Sequence, residues 1–114
     1  MPAVLKKELT CTIKEHSFIA RIAAAKLRSG RMAIVIGKTI HLHNTTASDF
    51  LANERWVRHE LAHVRQFREH GFFPFLLKYL VESIKCGYYN NRYEAEAREA
   101  ENNPRIVSEI SIGA

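Results

Sequence analysis

The run Asn53-Glu54-Arg55-Trp56-Val57-Arg58-His59-Glu60-Leu61-Ala62-His63-Val64-Arg65-Gln66-Phe67 sets how the rest of the chain is read. Val57, Leu61 and Val64 recur at three- and four-residue intervals, the spacing of one face of an α-helix. Trp56 and Phe67 flank the Glu60 side, while His59, His63 and Gln66 share a neighbouring polar strip. Arg55, Arg58, Arg65 and Glu69 occupy much of the remainder, with Arg68 nearer the apolar edge. Residues four apart on a helix sit one above the other, with Cβ atoms roughly 5–6 Å apart, so His59 and His63 can address one metal ion. Glu60 lies about 100° round the helix, where it can reach a metal-bound water without being a ligand. A polar strip between a core face and a charged face favours a cleft over a deep core.

Working outward, the helix is predicted from about Ala47 to Glu69, with Thr46 and Asp49 resembling a capping box and His70-Gly71 ending it. Upstream, Met32–Ile36 is a β-branched run, and Gly37-Lys38 suits a type II′ hairpin turn. Thr39–His43 alternates, placing Thr39, His41 and His43 on one face and Ile40 and Leu42 on the other. Such a hairpin must pack its apolar face on helices. Before it, residues 3–29 read as helical, and a single helix from about Lys14 to Leu27 is expected, closed by Ser29-Gly30.

Downstream, Phe72-Phe73-Pro74 opens a packing helix whose aromatics at 72, 73, 75 and 79 are expected in the core, with Gly87 as its C′ residue. Tyr88–Asn91 reads as a loop, Asn91 as the cap of a final helix from about Arg92 to Asn102, and Asn103-Pro104 as its break. The tail from 105 to 114 reads as a short strand or a loose end.

A chain of 114 residues with 46% hydrophobic and 25% charged side chains is one ordinary globular domain. No stretch approaches the ~18 consecutive apolar residues of a membrane span. The N-terminal MPAVLKKELT lacks a signal-peptide h-region, so the expected compartment is the cytoplasm. Cys11 and Cys86 lack Cys-x-x-Cys spacing and are expected to be buried free thiols. The net charge of +5 is modest, and the arginines at 55, 58, 65 and 68 read as a solvated face, which argues against nucleic acid as a partner. Oligomeric state is not legible.

A catalytic zinc takes three protein ligands and keeps a fourth position open. The third must come from outside the motif helix, and the concentrated downstream source of carboxylates is Glu94-Ala95-Glu96-Ala97-Arg98-Glu99-Ala100-Glu101. His-Glu-x-x-His followed by Tyr93-Glu94-Ala95-Glu96-Ala97 resembles the gluzincin-type zinc metallopeptidases, and above all their small, compact bacterial domains. The match spans roughly residues 40–101.

That resemblance implies a minimal zincin-like α+β domain, mostly helical, with a β-hairpin next to the motif helix and a motif-bearing core over about 32–102. It implies one zinc ion held by His59, His63 and Glu94, with Glu96 as the alternative third ligand. It implies peptide-bond hydrolysis of a peptide or protein substrate, with Glu60 as general base and zinc-activated water as nucleophile. Tyr88, Tyr89, Tyr93 and His43 are the candidate substrate or transition-state contacts. Thr39, Ile40, His41 and Leu42 form the candidate strand for aligning substrate by β-addition. One departure stands out: the family's Asp that orients a ligand imidazole is Arg98 here. That departure and the small size motivate an alternative: a non-catalytic zinc module docking a protein or nucleic-acid partner through its basic face.

Overall fold

The computed structural model describes residues 9–113, which form an α+β fold: mostly helical, with one small mixed sheet. In chain order the elements are β1 (Leu9–Lys14), α1 (Phe18–Leu27), β2 (Met32–Ile36), β3 (Thr39–His43), α2 (Ala47–Ala52) and α3 (Glu54–His70). They continue with α4 (Phe72–Asn90), α5 (Arg92–Ala100), α6 (Arg105–Glu109) and β4 (Ile110–Gly113). The sheet order is β2-β3-β1-β4. β2 and β3 pair antiparallel across the Gly37-Lys38 turn, while β1 runs parallel to both β3 and β4. Gly37 takes φ 65° and Lys38 does not share the positive-φ region, as a type II′ turn requires.

Two expected helical stretches differ. The segment read as helical from residue 3 contains strand β1 at Leu9–Lys14, and residues 3–8 lie outside the described residues. Leu9, Cys11 and Ile13 alternate with Thr10, Thr12 and Lys14, a period of two that two flanking strands convert into a paired element. The helix expected from Ala47 to Glu69 is two helices. Asn53 leaves helical geometry (φ −97°, ψ 91°), and its side chain accepts from the Trp56 N–H at 3.1 Å, starting α3 afresh. The two expected caps are in place: Thr46 Oγ1 accepts from the Asp49 N–H, and Asn91 Oδ1 from the Tyr93 N–H.

The core lies between the sheet and α3. Ile40 and Leu42 from β3, Phe50 from α2 and Leu61 and Val64 from α3 are all fully buried, joined by Ala97 and Ile106. Burying each such large aliphatic side chain contributes about 1.5–3 kcal/mol, which fixes α3 against the sheet with its polar strip turned away. The tail is the strand alternative made specific: Ile110 and Ile112 pair with β1 and close the sheet's far edge.

α4 is less of a core helix than its composition suggests. Phe75 is its one buried residue, whereas Phe73, Leu77, Leu80, Val81 and Ile84 are exposed. The residues read as loop at 88–90 are helical, with a kink at Gly87 (φ 81°). Cys11 is buried as expected, but Cys86 is exposed on α4.

Candidate metal centre

Three helices build the centre. α3 carries His59, Glu60, His63 and Gln66, α5 carries Glu94 and is capped by Glu101, and α4 carries Tyr79. Asn91, fully buried, joins the last two: its amide donates to the Tyr79 carbonyl at 3.1 Å and to Ser83 Oγ at 2.9 Å, while its Oδ1 caps α5. Arg58 Nη1 donates to the Glu101 carbonyl at 2.9 Å and holds the other end of α5 against α3.

His59, His63 and Glu94 present ligand atoms that all lie within 4.8 Å of one another, close enough to hold a metal ion. His59 Nε2 is 3.0 Å from Glu94 Oε1, and His63 Nε2 is 3.3 Å from either carboxylate oxygen. The outward nitrogens settle which atoms carry protons. His59 Nδ1 faces the Glu101 carboxylate at 2.8 Å, and a carboxylate accepts, so Nδ1 carries the hydrogen. His63 Nδ1 faces Gln66 Oε1 at 2.8 Å. Gln66 Nε2 donates to the Tyr93 carbonyl and to Glu96 Oε1, which fixes its amide orientation and makes His63 Nδ1 a donor too.

Both Nε2 lone pairs therefore converge on a carboxylate. Three acceptors facing one another need a cation between them, whether protons or a metal. Bonds of about 2.0–2.1 Å in a tetrahedral arrangement place ligand atoms about 3.3 Å apart, and the two imidazole-to-carboxylate separations, 3.0 and 3.3 Å, lie near that distance.

The electrostatics agree. Burial opposes charge on His59, but hydrogen bonds and charge from Glu94, Glu60 and Glu101 outweigh it and raise its pKa to about 9. His63 is raised in the same way, chiefly by Glu94 against its own burial. Burial works against ionised Glu94 as well, but the two imidazoles and the Tyr79 hydroxyl hold its carboxyl well below the usual range. Glu60 is different. Burial pushes its carboxyl up to about 7, against the pull of His63 and His59.

A cleft of about 270 Å³ opens over this cluster. α1 and β2 form one wall, α4 forms the other, and His59, Glu60, His63 and Glu94 line its floor. Tyr79 and Tyr88 reach into it from α4.

Glu94, not Glu96, faces the imidazoles; Glu96 accepts from Gln66 instead. Of the aromatic candidates, Tyr88 lines the cleft, whereas Tyr93 is buried against Phe75 and His70. Tyr89 is exposed beneath the Arg98 guanidinium. His43 and His41 do not line the cleft; His41 is buried, with its Nδ1 hydrogen-bonded to the Ser17 hydroxyl 2.8 Å away. The candidate substrate strand Thr39–Leu42 is displaced as well. β3 is paired on both sides, by β2 and β1, and has no free edge to offer. The edge strands are β2 and β4, and the five residues of β2 line the cleft.

Two contributors escaped the sequence reading. Tyr79, expected in the core, donates its hydroxyl to Glu94 Oε2. Its place seven residues after Phe72 on an aromatic-rich helix gave no separate signal. Glu101, the cap residue just past α5, faces His59 Nδ1, and its spacing of seven from Glu94 puts both on one side of the helix end. Arg98 turns the other way, donating to the Tyr89 carbonyl at 2.7 Å.

A family model described as the eCIS core domain matches residues 16–71, just under half of the chain. The matched stretch runs from the start of α1 to the end of α3 and includes His59, Glu60 and His63, but stops before Tyr79, Glu94 and Glu101. No curated protein and no solved structure matches the chain.

Proposed function

We propose that this domain is a zinc-dependent peptidase of the gluzincin kind, with His59, His63 and Glu94 as the zinc ligands and Glu60 as the general base. One observation carries the reading: two imidazole lone pairs and a carboxylate converge on one point at the floor of an open cleft, beside a buried glutamate that is not part of the triad. A two-histidine, one-glutamate set is a catalytic zinc donor set. Zinc bound there supplies Lewis acidity toward a peptide carbonyl and acidifies its water to near neutral pH.

The chain's own groups do the remaining work. Glu60, with a pKa of about 7, accepts a proton at its carboxylate and returns it to the departing amine. Glu101 and Gln66 hold the ligand imidazoles in the Nδ1–H tautomer, and Tyr79 holds one Glu94 oxygen. Tyr88 stays a proton donor at the cleft, because burial and the nearby Glu94 push its hydroxyl pKa upward. The free edge of β2 offers backbone groups to an extended substrate.

The test has two parts. Protein prepared without chelator should carry zinc at near-stoichiometric level and lose it on His59→Ala, and Glu60→Gln should keep zinc while abolishing peptide cleavage. Absence of zinc from the native protein overturns the reading at its root. A non-catalytic zinc module is the second reading, favoured by the exposed apolar residues of α4 beside the cleft. It is the one left standing if zinc binds but no peptide in a broad library is cut and Glu60→Gln keeps the biological role.

A further inference from the structure

α1 and α4 flank the cleft, and each leaves a large apolar face uncovered. Ile84 is 84% exposed, Phe73 76%, Phe18 69% and Leu77 64%, so these side chains stand proud of the surface. Large apolar side chains exposed together along one helix face mark an interaction surface.

The arrangement around each helix follows from about 100° per residue. On α1, Ala20 and Ala24 are buried, and Ala23 and Leu27 turn toward the cleft. Phe18, Ile19 and Ile22 lie on the arc opposite the buried pair, Arg21 falls on the side away from the cleft, and Lys26 lines the cleft beside the ridge. α4 repeats the pattern. Phe75 is buried, Leu76 and Tyr79 turn to the cleft, and Phe73, Leu77 and Ile84 form the outer ridge. Lys78 and Lys85 fall beyond that ridge, again on the side away from the cleft. Two apolar ridges thus border one cleft, each with a basic outer flank.

α1 carries no acidic residue, and Glu82, the acidic residue of α4, turns toward the start of α5 at Arg92. An apolar crest with basic flanks is the surface of a helix lying in a membrane interface. Among the described residues no helix is long and apolar enough to cross a membrane; the geometry these two helices offer is docking at a surface. A second copy of the chain is a poorer occupant, because it brings the same basic flanks against these.

We propose that α1 and α4 together dock this domain onto an anionic lipid surface, with the mouth of the metal-site cleft turned toward the bilayer. This requires neither zinc nor hydrolysis. Its consequence is that whatever enters the cleft arrives along the membrane surface.

Co-sedimentation of the whole chain with vesicles tests it. Phosphatidylcholine–phosphatidylserine vesicles should bind the protein, and pure phosphatidylcholine should bind it at least tenfold more weakly. Lys78→Gln and Lys85→Gln should each lower partition to the anionic vesicles about fivefold. Leu77→Ser with Ile84→Ser should lower it at least tenfold. These positions are exposed, and an unchanged thermal melt verifies the fold. Phe73→Trp should retain binding, and its emission should shift to the blue on the vesicles, which a misfolded variant does not reproduce. Three outcomes overturn the proposal: no binding to anionic vesicles at low salt, binding indifferent to Leu77 and Ile84, or a concentration-dependent dimer that those two substitutions dissolve.

Discussion

Glu101 is the residue whose removal tests the site most sharply. Its Oε2 accepts from His59 Nδ1 at 2.8 Å, and its Oε1 pairs with Arg55 at 2.8 Å. Its backbone carbonyl, which Arg58 holds, is untouched by side-chain substitution. Glu101→Ala therefore frees the His59 imidazole to rotate and removes the acceptor that keeps the lone pair on Nε2. Loss of such an outer partner typically costs 10–100-fold in metal affinity, or about 1.4–2.7 kcal/mol. The accompanying loss of the Arg55 pair is small, at most about 1 kcal/mol of stability, because the Arg55 side chain is 65% exposed. Affinity and stability should thus separate.

The assay is a competitive zinc titration of metal-free protein against a chromophoric chelator at fixed pH, with a urea melt of the same samples. Glu101→Gln retains an acceptor for His59 and should fall between wild type and Ala. Arg98→Ala is the control. Its guanidinium packs 4.1 Å from the Tyr89 ring centroid and bonds that residue's carbonyl, so zinc affinity should not change. If Arg98→Ala costs as much as Glu101→Ala, or if Glu101→Ala costs nothing, the assignment of Glu101 as the orienting carboxylate is wrong.

Three further outcomes follow from the same geometry. In metal-free protein the His59 pKa is raised from 6.5 to about 9, so its proton stabilises the fold fully below 6.5 and that contribution is lost as pH rises through 9. Denaturant melts of chelator-treated protein across this window should show the decline, whereas zinc affinity should rise over it as protons cease to compete. Cys86 is exposed and should react with a thiol reagent in native protein, while Cys11, buried and with its thiol pushed up to about 11, should stay silent until denaturant is added; two thiols labelled at neutral pH refute this. Asn91→Ala removes a buried cap and two part-buried hydrogen bonds at once and should cost about 2–4 kcal/mol by urea denaturation, with weaker zinc binding because Glu94 lies three residues on.

What the sequence determined by itself is local. Val57, Leu61 and Val64 at helical spacing, Asn91 before an alanine-rich run and Gly37 at a tight turn each act through their own few neighbours, so each is visible in a window of residues. The same holds for His59 and His63, whose shared face is a property of one helix.

Tertiary structure decided whatever depends on a partner far along the chain. Leu9–Lys14 becomes a strand because β3 and β4 supply its hydrogen bonds from both sides. That same pairing makes β3 an inner strand and leaves β2 and β4 at the edges. Glu94 is selected over Glu96, and Glu101 over Arg98, by the way α5 lies across α3, tied by Gln66 to the Tyr93 carbonyl at one end and by Arg58 to the Glu101 carbonyl at the other. Periodicity reports which residues share a face, but only packing decides what that face meets.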